Sequence, residues 1–177
     1  MSRGSSVYVG LLRGVNVGGK NKLPMADLRS LCEHLGWSNV RTFIQSGNVI
    51  FTSEDAPKAL LLEVAIEERF AIKTNVLLRT ASDLVRAVER SPFAEAERAY
   101  VHVAFVSKNV SETVVTSLDH ERFTPDKFAV IGSEVYLYLP NGVGQSKLPA
   151  YLVRQLKVPV TIRNWNTVNK LAELAVS

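Results

Sequence analysis

Two loop segments of this sequence combine glycine with basic and amide side chains. The first, Arg13 to Lys22, reads RGVNVGGKNK, and the second, Asn141 to Lys147, reads NGVGQSK. Glycine lets backbone N–H groups approach a ligand closely. Each segment also ends where a helix is predicted to begin, and the free N–H groups of a helix start favour negative charge. The two segments therefore indicate binding of an anion.

Two shorter polar segments, Gln45 to Asn48 and Arg163 to Asn166, are expected to join these loops. Arginine and lysine would bind phosphate or carboxylate, and amide side chains can both donate and accept hydrogen bonds, as sugar or base recognition requires. The predicted ligand-binding residues are Arg13, Asn16, Gly18, Gly19, Lys20, Asn21, Gln45, Ser46, Asn48, Asn141, Ser146, Lys147, Arg163, Asn164 and Asn166.

The glycine spacing matches neither established phosphate-binding motif. The first loop is not G-x-G-x-x-G, and the second lacks the G-K-[ST] ending of a P-loop. Glycines in such loops are often simple turn requirements, so that alternative stays open. Trp165 could stack on a base or serve as a core residue at a helix start, and the core role is favoured.

The hydrophobic pattern predicts a repeated order of elements. In the first half, strands at Ser6–Leu12, Asn39–Gln45, Asn48–Thr52 and Thr74–Arg79 alternate with helices after Pro24, from Ala56 and from Ser82. In the second half, strands at Tyr100–Val106, Lys127–Ile131, Glu134–Leu139 and Val158–Ile162 alternate with a helix from Ser111, a helix that contains Leu148, Leu152 and Leu156, and a helix capped by Asn164 or Asn166. The order β-α-β-β-α-β-α thus occurs twice.

This order predicts an α+β fold of two tandem ferredoxin-like (α/β-plait, βαββαβ) units, each followed by an extra helix. The expected domains are residues 1–92 and 98–177, with Ser91–Arg98 as the boundary. Alternating strand directions place the loop after the first strand beside the following hairpin turn. In the second half they place Asn141–Lys147 at the same sheet end as Arg163–Asn166.

Composition excludes several classes of protein. The net charge of +4 favours anionic partners only modestly, and the single cysteine, Cys32, excludes an internal disulfide framework. No apolar run is long enough for a membrane span or a signal-peptide core, so a cytoplasmic protein is expected. We find no catalytic signature, no metal-binding spacing for His34, His102 and His120, and no cofactor motif.

Four segments together resemble a bacterial family, domain of unknown function 1697. They are Leu12–Lys22, Ile44–Val49, Leu139–Gly144 and Arg163–Thr167, and the resemblance extends over nearly the whole chain. It implies a bacterial protein with two α/β-plait halves and implies no reaction. The family pattern commonly has arginine where this chain has Gln145, which makes the second loop less basic.

Three functional hypotheses follow from the sequence. The first is a binding protein for a phosphorylated small molecule or nucleic acid, with charge from Arg13, Lys20, Lys147 and Arg163. The second is an enzyme acting on a small polar metabolite in a pocket between the halves, which requires a titratable residue of perturbed pKa. The third makes the loops purely structural, held by asparagine hydrogen bonds.

Overall fold

The chain folds into a mixed α+β architecture with two four-stranded antiparallel sheets. The computed structural model describes residues 4–177. By their internal contacts the residues divide into a first unit, up to Val85 together with Leu171–Ser177, and a second unit, Arg86–Lys170. Among the described residues, no helix is both long and apolar enough to cross a membrane.

The first unit contains one sheet and two helices that pack on it. Its elements are β1 (Ser6–Leu12), α1 (Met25–His34), β2 (Ser38–Thr42), β3 (Asn48–Ser53), α2 (Ala59–Phe70) and β4 (Val76–Thr80). The strand order is β2-β3-β1-β4, with all pairs antiparallel. The helix α3 (Ala81–Glu89) starts directly after β4 and extends past the boundary between the units.

The core of the first unit explains its sequence pattern. Leu12, Val49 and Phe51 are fully buried in the cluster that α1 and α2 cover, and the Trp37 ring stacks on Phe51 with centroids 4.0 Å apart. Gly10 lies in the middle of β1, where a Cβ would be 2.9 Å from Val49 Cγ1. Glycine therefore occurs in a strand interior because the neighbouring strand leaves no room for a side chain.

The second unit has the same order of elements. They are β5 (Val101–Val106), α4 (Glu112–Ser117), β6 (Lys127–Ile131), β7 (Glu134–Tyr138), α5 (Leu148–Leu156), β8 (Val160–Asn164) and the start of α6 (Trp165–Val176), whose residues from Leu171 belong to the first unit. The strand order β6-β7-β5-β8 reproduces that of the first sheet. The predicted element order is therefore present in both halves, although the start of the predicted second helix moves from Ala56 to Ala59.

Equivalent main-chain hydrogen bonds also occur within each of the two units. At the end of β1, Leu12 N–H donates to Gly47 O at 2.8 Å, and Arg13 N–H donates to Asn75 O at 3.0 Å. At the end of β5, Val106 N–H donates to Ser133 O at 2.8 Å, and Ser107 N–H donates to Pro159 O at 3.0 Å. The loop after β1 and the loop after β5 thus leave equivalent positions of their sheets.

Several bounds differ from the sequence-based prediction; β2, for example, ends at Thr42 rather than at Gln45, and β4 begins at Val76 rather than at Thr74. The strand predicted at Val158–Ile162 lies at Val160–Asn164, because Lys157 ends α5 in the left-handed region and pairing with β5 begins only after Pro159. The end of the chain, expected in domain 98–177, belongs to the first unit from Leu171 onward. There the Arg41 guanidinium donates to Leu174 O at 2.7 Å.

Candidate anion-binding loop cluster

The loop after β1 and the turn between β2 and β3 lie against each other, as the chain directions predict. Leu11 pairs with Asn48 across the sheet, and Leu12 N–H reaches Gly47 O. Gly47 has φ +87°, and a Cβ on it would be 2.6 Å from Val15 Cγ2 and 2.8 Å from Leu12 Cβ. Only glycine fits here. We call Arg13–Lys22 together with Phe43–Asn48 the first loop cluster.

Asn16 holds the two segments of the first loop cluster together. Its Nδ2 donates to Gln45 O at 2.7 Å and to Leu23 O at 2.9 Å, while its Oδ1 accepts from Leu23 N–H at 2.8 Å. The residue adopts φ +54°, a conformation that asparagine tolerates better than most residues. Its amide is thus committed to the protein, which supports a structural role for Asn16.

The tip of the first loop is a two-residue hairpin. Lys20 N–H donates to Val17 O at 3.0 Å, and both residues between them, Gly18 and Gly19, have positive φ of +58° and +72°. Such a pair of central residues matches the twist of a tight hairpin. At its base, Asn21 Nδ2 donates to Gly14 O at 3.0 Å. The two glycines predicted as ligand-binding therefore also meet a turn requirement.

Asn48 stabilises the facing turn between β2 and β3 with its side-chain amide, as Asn16 does in the first loop. It is fully buried, and its Nδ2 donates to Phe43 O and to Ser46 Oγ, both at 2.9 Å. Ile44, in the same turn, has φ +50° although its side chain is β-branched, and it is 48% exposed. Backbone strain of this kind persists only where the surrounding structure fixes the conformation.

The charged side chains of the first loop cluster point to solvent. Arg13, Lys20 and Lys22 are exposed, and among residues 4–177 none of them forms an ion pair. No acidic residue occurs from residue 13 to 26, and the next one, Asp27, lies 3.8 Å from Arg69. Gln45 also exposes its side chain. Lys22 was absent from the predicted ligand-binding set, although it completes the charge pattern.

The second pair of loops is arranged differently. Leu139 N–H donates to Tyr100 O at 2.8 Å, and Asn164 pairs with His102, so both loops start beside the first residues of β5. From there they diverge. Ser146 Oγ donates to Asp126 Oδ2 at 2.6 Å, beside the edge strand β6, whereas Arg163 lies in β8 at the other edge.

The structure therefore does not bring Lys147 and Arg163 together. The carboxylate of Asp126 at Ser146 also opposes binding of an anion at the start of α5. Asn141 and Lys147 remain exposed at this loop, and Ser146 Oγ accepts from Leu148 N–H at 3.1 Å as part of the helix start.

Arg163 is a buried strand residue rather than an exposed loop residue. It is 7% exposed, and its guanidinium donates to Thr161 Oγ1 at 2.7 Å and to Ile162 O at 3.1 Å. Burial lowers the pKa of Arg163 to about 10, which leaves it charged at neutral pH. This buried position does not fit the expected role of Arg163, which was to supply positive charge for an anionic ligand.

The helix start after Arg163 follows the sequence-based expectation. Asn164 Oδ1 accepts from Thr167 N–H at 2.8 Å, so Asn164 caps α6, while Asn166 is exposed. Trp165 is 4% exposed, which agrees with the core role rather than with base stacking. In this segment only Asn166 presents its side chain to solvent without a described hydrogen bond.

The groups with perturbed pKa values lie outside the first loop cluster. Burial raises the pKa values of Cys32 and Tyr136 to about 12 each and lowers that of His102. His102 is 7% exposed, and among the described residues its Nδ1 has no hydrogen-bond partner. Within residues 4–177, no group of three or more histidine, cysteine, aspartate or glutamate side chains could hold a metal ion.

Comparison with known proteins identifies relatives but no activity. A family model described as "Protein of unknown function (DUF1697)" matches residues 6–136. A solved structure, that of conserved bacterial protein SP0830 from Streptococcus pneumoniae, is 28% identical in sequence, with a TM-score of 0.73. The similarity covers 98% of this chain and 100% of that one. The comparison with curated proteins gives no match.

Proposed function

The chain belongs to the DUF1697 family of proteins of unknown function, and from this premise we propose that its first loop cluster binds a phosphate-bearing ligand, either a nucleotide or a single-stranded nucleic acid. One observation carries the proposal: Arg13, Lys20 and Lys22 are exposed on a loop that hydrogen bonds brace, and in the described part of the chain they have no ion-pair partner. A braced loop loses little backbone conformational entropy when an anion binds, although the exposed lysine and arginine side chains must still be ordered.

The asparagines have a supporting role in this proposal. Asn16, Asn21 and Asn48 already donate to main-chain carbonyls inside the cluster, so they hold the cations in place rather than select the ligand. The hypothesis of purely structural loops is therefore favoured for these three residues. Gln45, whose side chain is exposed, is the amide that could contact a base or sugar.

The proposed mode is electrostatic. The first loop cluster has three cations and no carboxylate or imidazole in Arg13–Lys22 or Phe43–Asn48. The cluster thus supplies no general base, which favours binding over catalysis at this position. Its exposure suits an extended polyanion, because phosphates along a strand can contact several cations at once.

We further infer that each unit is ferredoxin-like and that the protein acts in the bacterial cytoplasm. The strand order β2-β3-β1-β4, with β1 and β4 antiparallel neighbours, is the order expected of a split βαβ unit, and it recurs as β6-β7-β5-β8. The relative from Streptococcus pneumoniae is a bacterial protein. The one cysteine, Cys32, is buried and free, as is common in a reducing compartment.

The proposal is tested by fluorescence anisotropy of a labelled single-stranded DNA 12-mer, with ATP as competitor, at 50 and 200 mM salt. Three phosphate contacts predict that the affinity falls about 20-fold between these salt concentrations. The variant Arg13→Ala/Lys20→Ala/Lys22→Ala should lose the binding and most of the salt dependence.

A matched control removes the same charge from other exposed positions. The variant Lys58→Ala/Arg98→Ala/Arg154→Ala should retain the binding, because none of these residues belongs to the first loop cluster. Equal binding by the two triple variants, or no binding of DNA or ATP to the unmodified protein, refutes the proposal.

A further inference from the structure

The second unit contains a cavity of about 520 Å³ at the end of β5. It lies between the loop that follows β5 and the turn that joins α5 to β8. Its apolar lining is formed by Val106, Val110, Val114, Leu156 and Val158. Cavities of this volume hold small organic molecules, and an apolar lining binds the hydrocarbon part of such a molecule.

Two lysines lie at this cavity, Lys108 and Lys157, and no acidic residue among residues 4–177 lines it. Both lysines are exposed, and neither forms an ion pair within the part of the chain that the structure describes. Glu112, the acidic residue nearest in sequence to Lys108, is not part of the lining. The cavity therefore combines positive charge with several apolar side chains.

Polar uncharged groups complete the lining. Asn109, Ser111 and Gln155 lie at the cavity and can donate hydrogen bonds to an oxyanion. A bare inorganic ion would leave the apolar side chains without a partner, and a neutral apolar molecule would leave the two ammonium groups unpaired. A molecule with an anionic group and a short hydrocarbon part satisfies both sets of side chains.

We propose that this cavity binds a small amphipathic anion, a carboxylate or phosphate monoester with a short apolar chain. Lys108 and Lys157 bind the anionic group, and Val114 and Leu156 contact the hydrocarbon. The site uses residues of the second unit alone, so it does not depend on ligand binding at the first loop cluster. The two sites occupy equivalent ends of their sheets, as the repeated contacts of Arg13 and Ser107 show.

Sequence reasoning missed this site because its residues come from two short segments, Val106–Ser117 and Gln155–Val158, that are far apart in the chain. The structure shows a feature that the sequence pattern does not give, the left-handed conformation at the end of α5. Lys157 has φ +53°, a position where glycine or asparagine is usual. A lysine there keeps a cation at the cavity at some conformational cost.

The test is a titration of the full-length, isotope-labelled protein by two-dimensional NMR with hexanoate, hexyl phosphate and, as a neutral control of the same shape, hexanamide. We expect both anions to shift the amide signals of Val110, Val114 and Leu156, and hexanamide to bind at least about tenfold more weakly, since hydrogen bonds to charged groups are the stronger ones.

Variants test whether Lys108 and Lys157 bind the anionic group of the ligand. Lys108→Gln/Lys157→Asn should weaken hexanoate binding about tenfold, because asparagine tolerates the left-handed conformation and only the charge is lost. Lys108→Arg should retain binding, and Lys58→Gln in the first unit should have no effect. Equal affinity for hexanoate and hexanamide, or shifts away from the cavity residues, overturns the proposal, and this comparison needs no variant.

Discussion

Replacing Gly47 by alanine tests whether the first loop cluster depends on close contact between its two segments. The new Cβ would lie 2.6 Å from Val15 Cγ2 and 2.8 Å from Leu12 Cβ, far inside the usual carbon contact distance of about 3.5–4 Å. Leu12 Cβ cannot rotate away, because it is attached directly to the backbone of β1. The backbone of the loop or of the turn must therefore move.

Gly36 provides a matched control in the same unit. Its φ of +85° is close to the +87° of Gly47, but a Cβ there would meet nothing within 4 Å. Gly36→Ala should thus cost only the conformational penalty, about 1–2 kcal/mol. Gly47→Ala should cost that penalty plus an overpacking term of about 1–3 kcal/mol.

The difference is measured by urea unfolding of the two variants and the unmodified protein, followed by circular dichroism. The free energy of unfolding of Gly47→Ala should lie at least about 1 kcal/mol below that of Gly36→Ala. If the two variants are equally stable, the contact between loop and turn is not tight, and Gly47 does not fix the geometry of the cluster.

Two further outcomes are expected. Asn16→Ala should lower the free energy of unfolding by about 1–3 kcal/mol, because the Leu23 N–H and two carbonyls lose their partner. The control Asn141→Ala, at an exposed position, should change the free energy of unfolding by less than about 0.5 kcal/mol. Equal effects of the two variants would contradict the structural role of Asn16. Burial lowers the pKa of His102 below its ordinary 6.5, so the unfolded chain binds more protons and stability should fall as the pH drops below about 6.5. His102→Gln should flatten this part of the pH profile in urea unfolding, and an unchanged slope would show that His102 does not cause it.

The element order could be predicted because each element has its own hydrophobic period. The bounds of β1 and β6, Ser6–Leu12 and Lys127–Ile131, agree with the sequence pattern. The strand β8 was displaced by two residues, because Val158 and Pro159 are apolar in sequence but precede the pairing with β5. That displacement turned Arg163 from an expected loop residue into a buried strand residue.

The candidate site could be located from sequence, but the roles of its residues could not be assigned. The sequence marks Asn16 as polar and able to bind a ligand, yet one of its hydrogen-bond partners, Gln45 O, is 29 residues away and is brought near only by the fold. The exposed cations Arg13 and Lys20 remain candidates for ligand binding, and that function stays a prediction. The positive φ angles of Gly18 and Gly19 are required by the local turn, so the sequence of the turn could have predicted them.

The equivalent bonds of Arg13 to Asn75 and of Ser107 to Pro159 join main-chain atoms alone. Neither bond depends on a side chain, so each strand can leave its sheet in the same direction whatever loop follows it. The connection from β1 to α1 has twelve residues, 13–24, and the connection from β5 to α4 has five, 107–111. A strand exit that is fixed by the main chain therefore accepts connections of different length and charge.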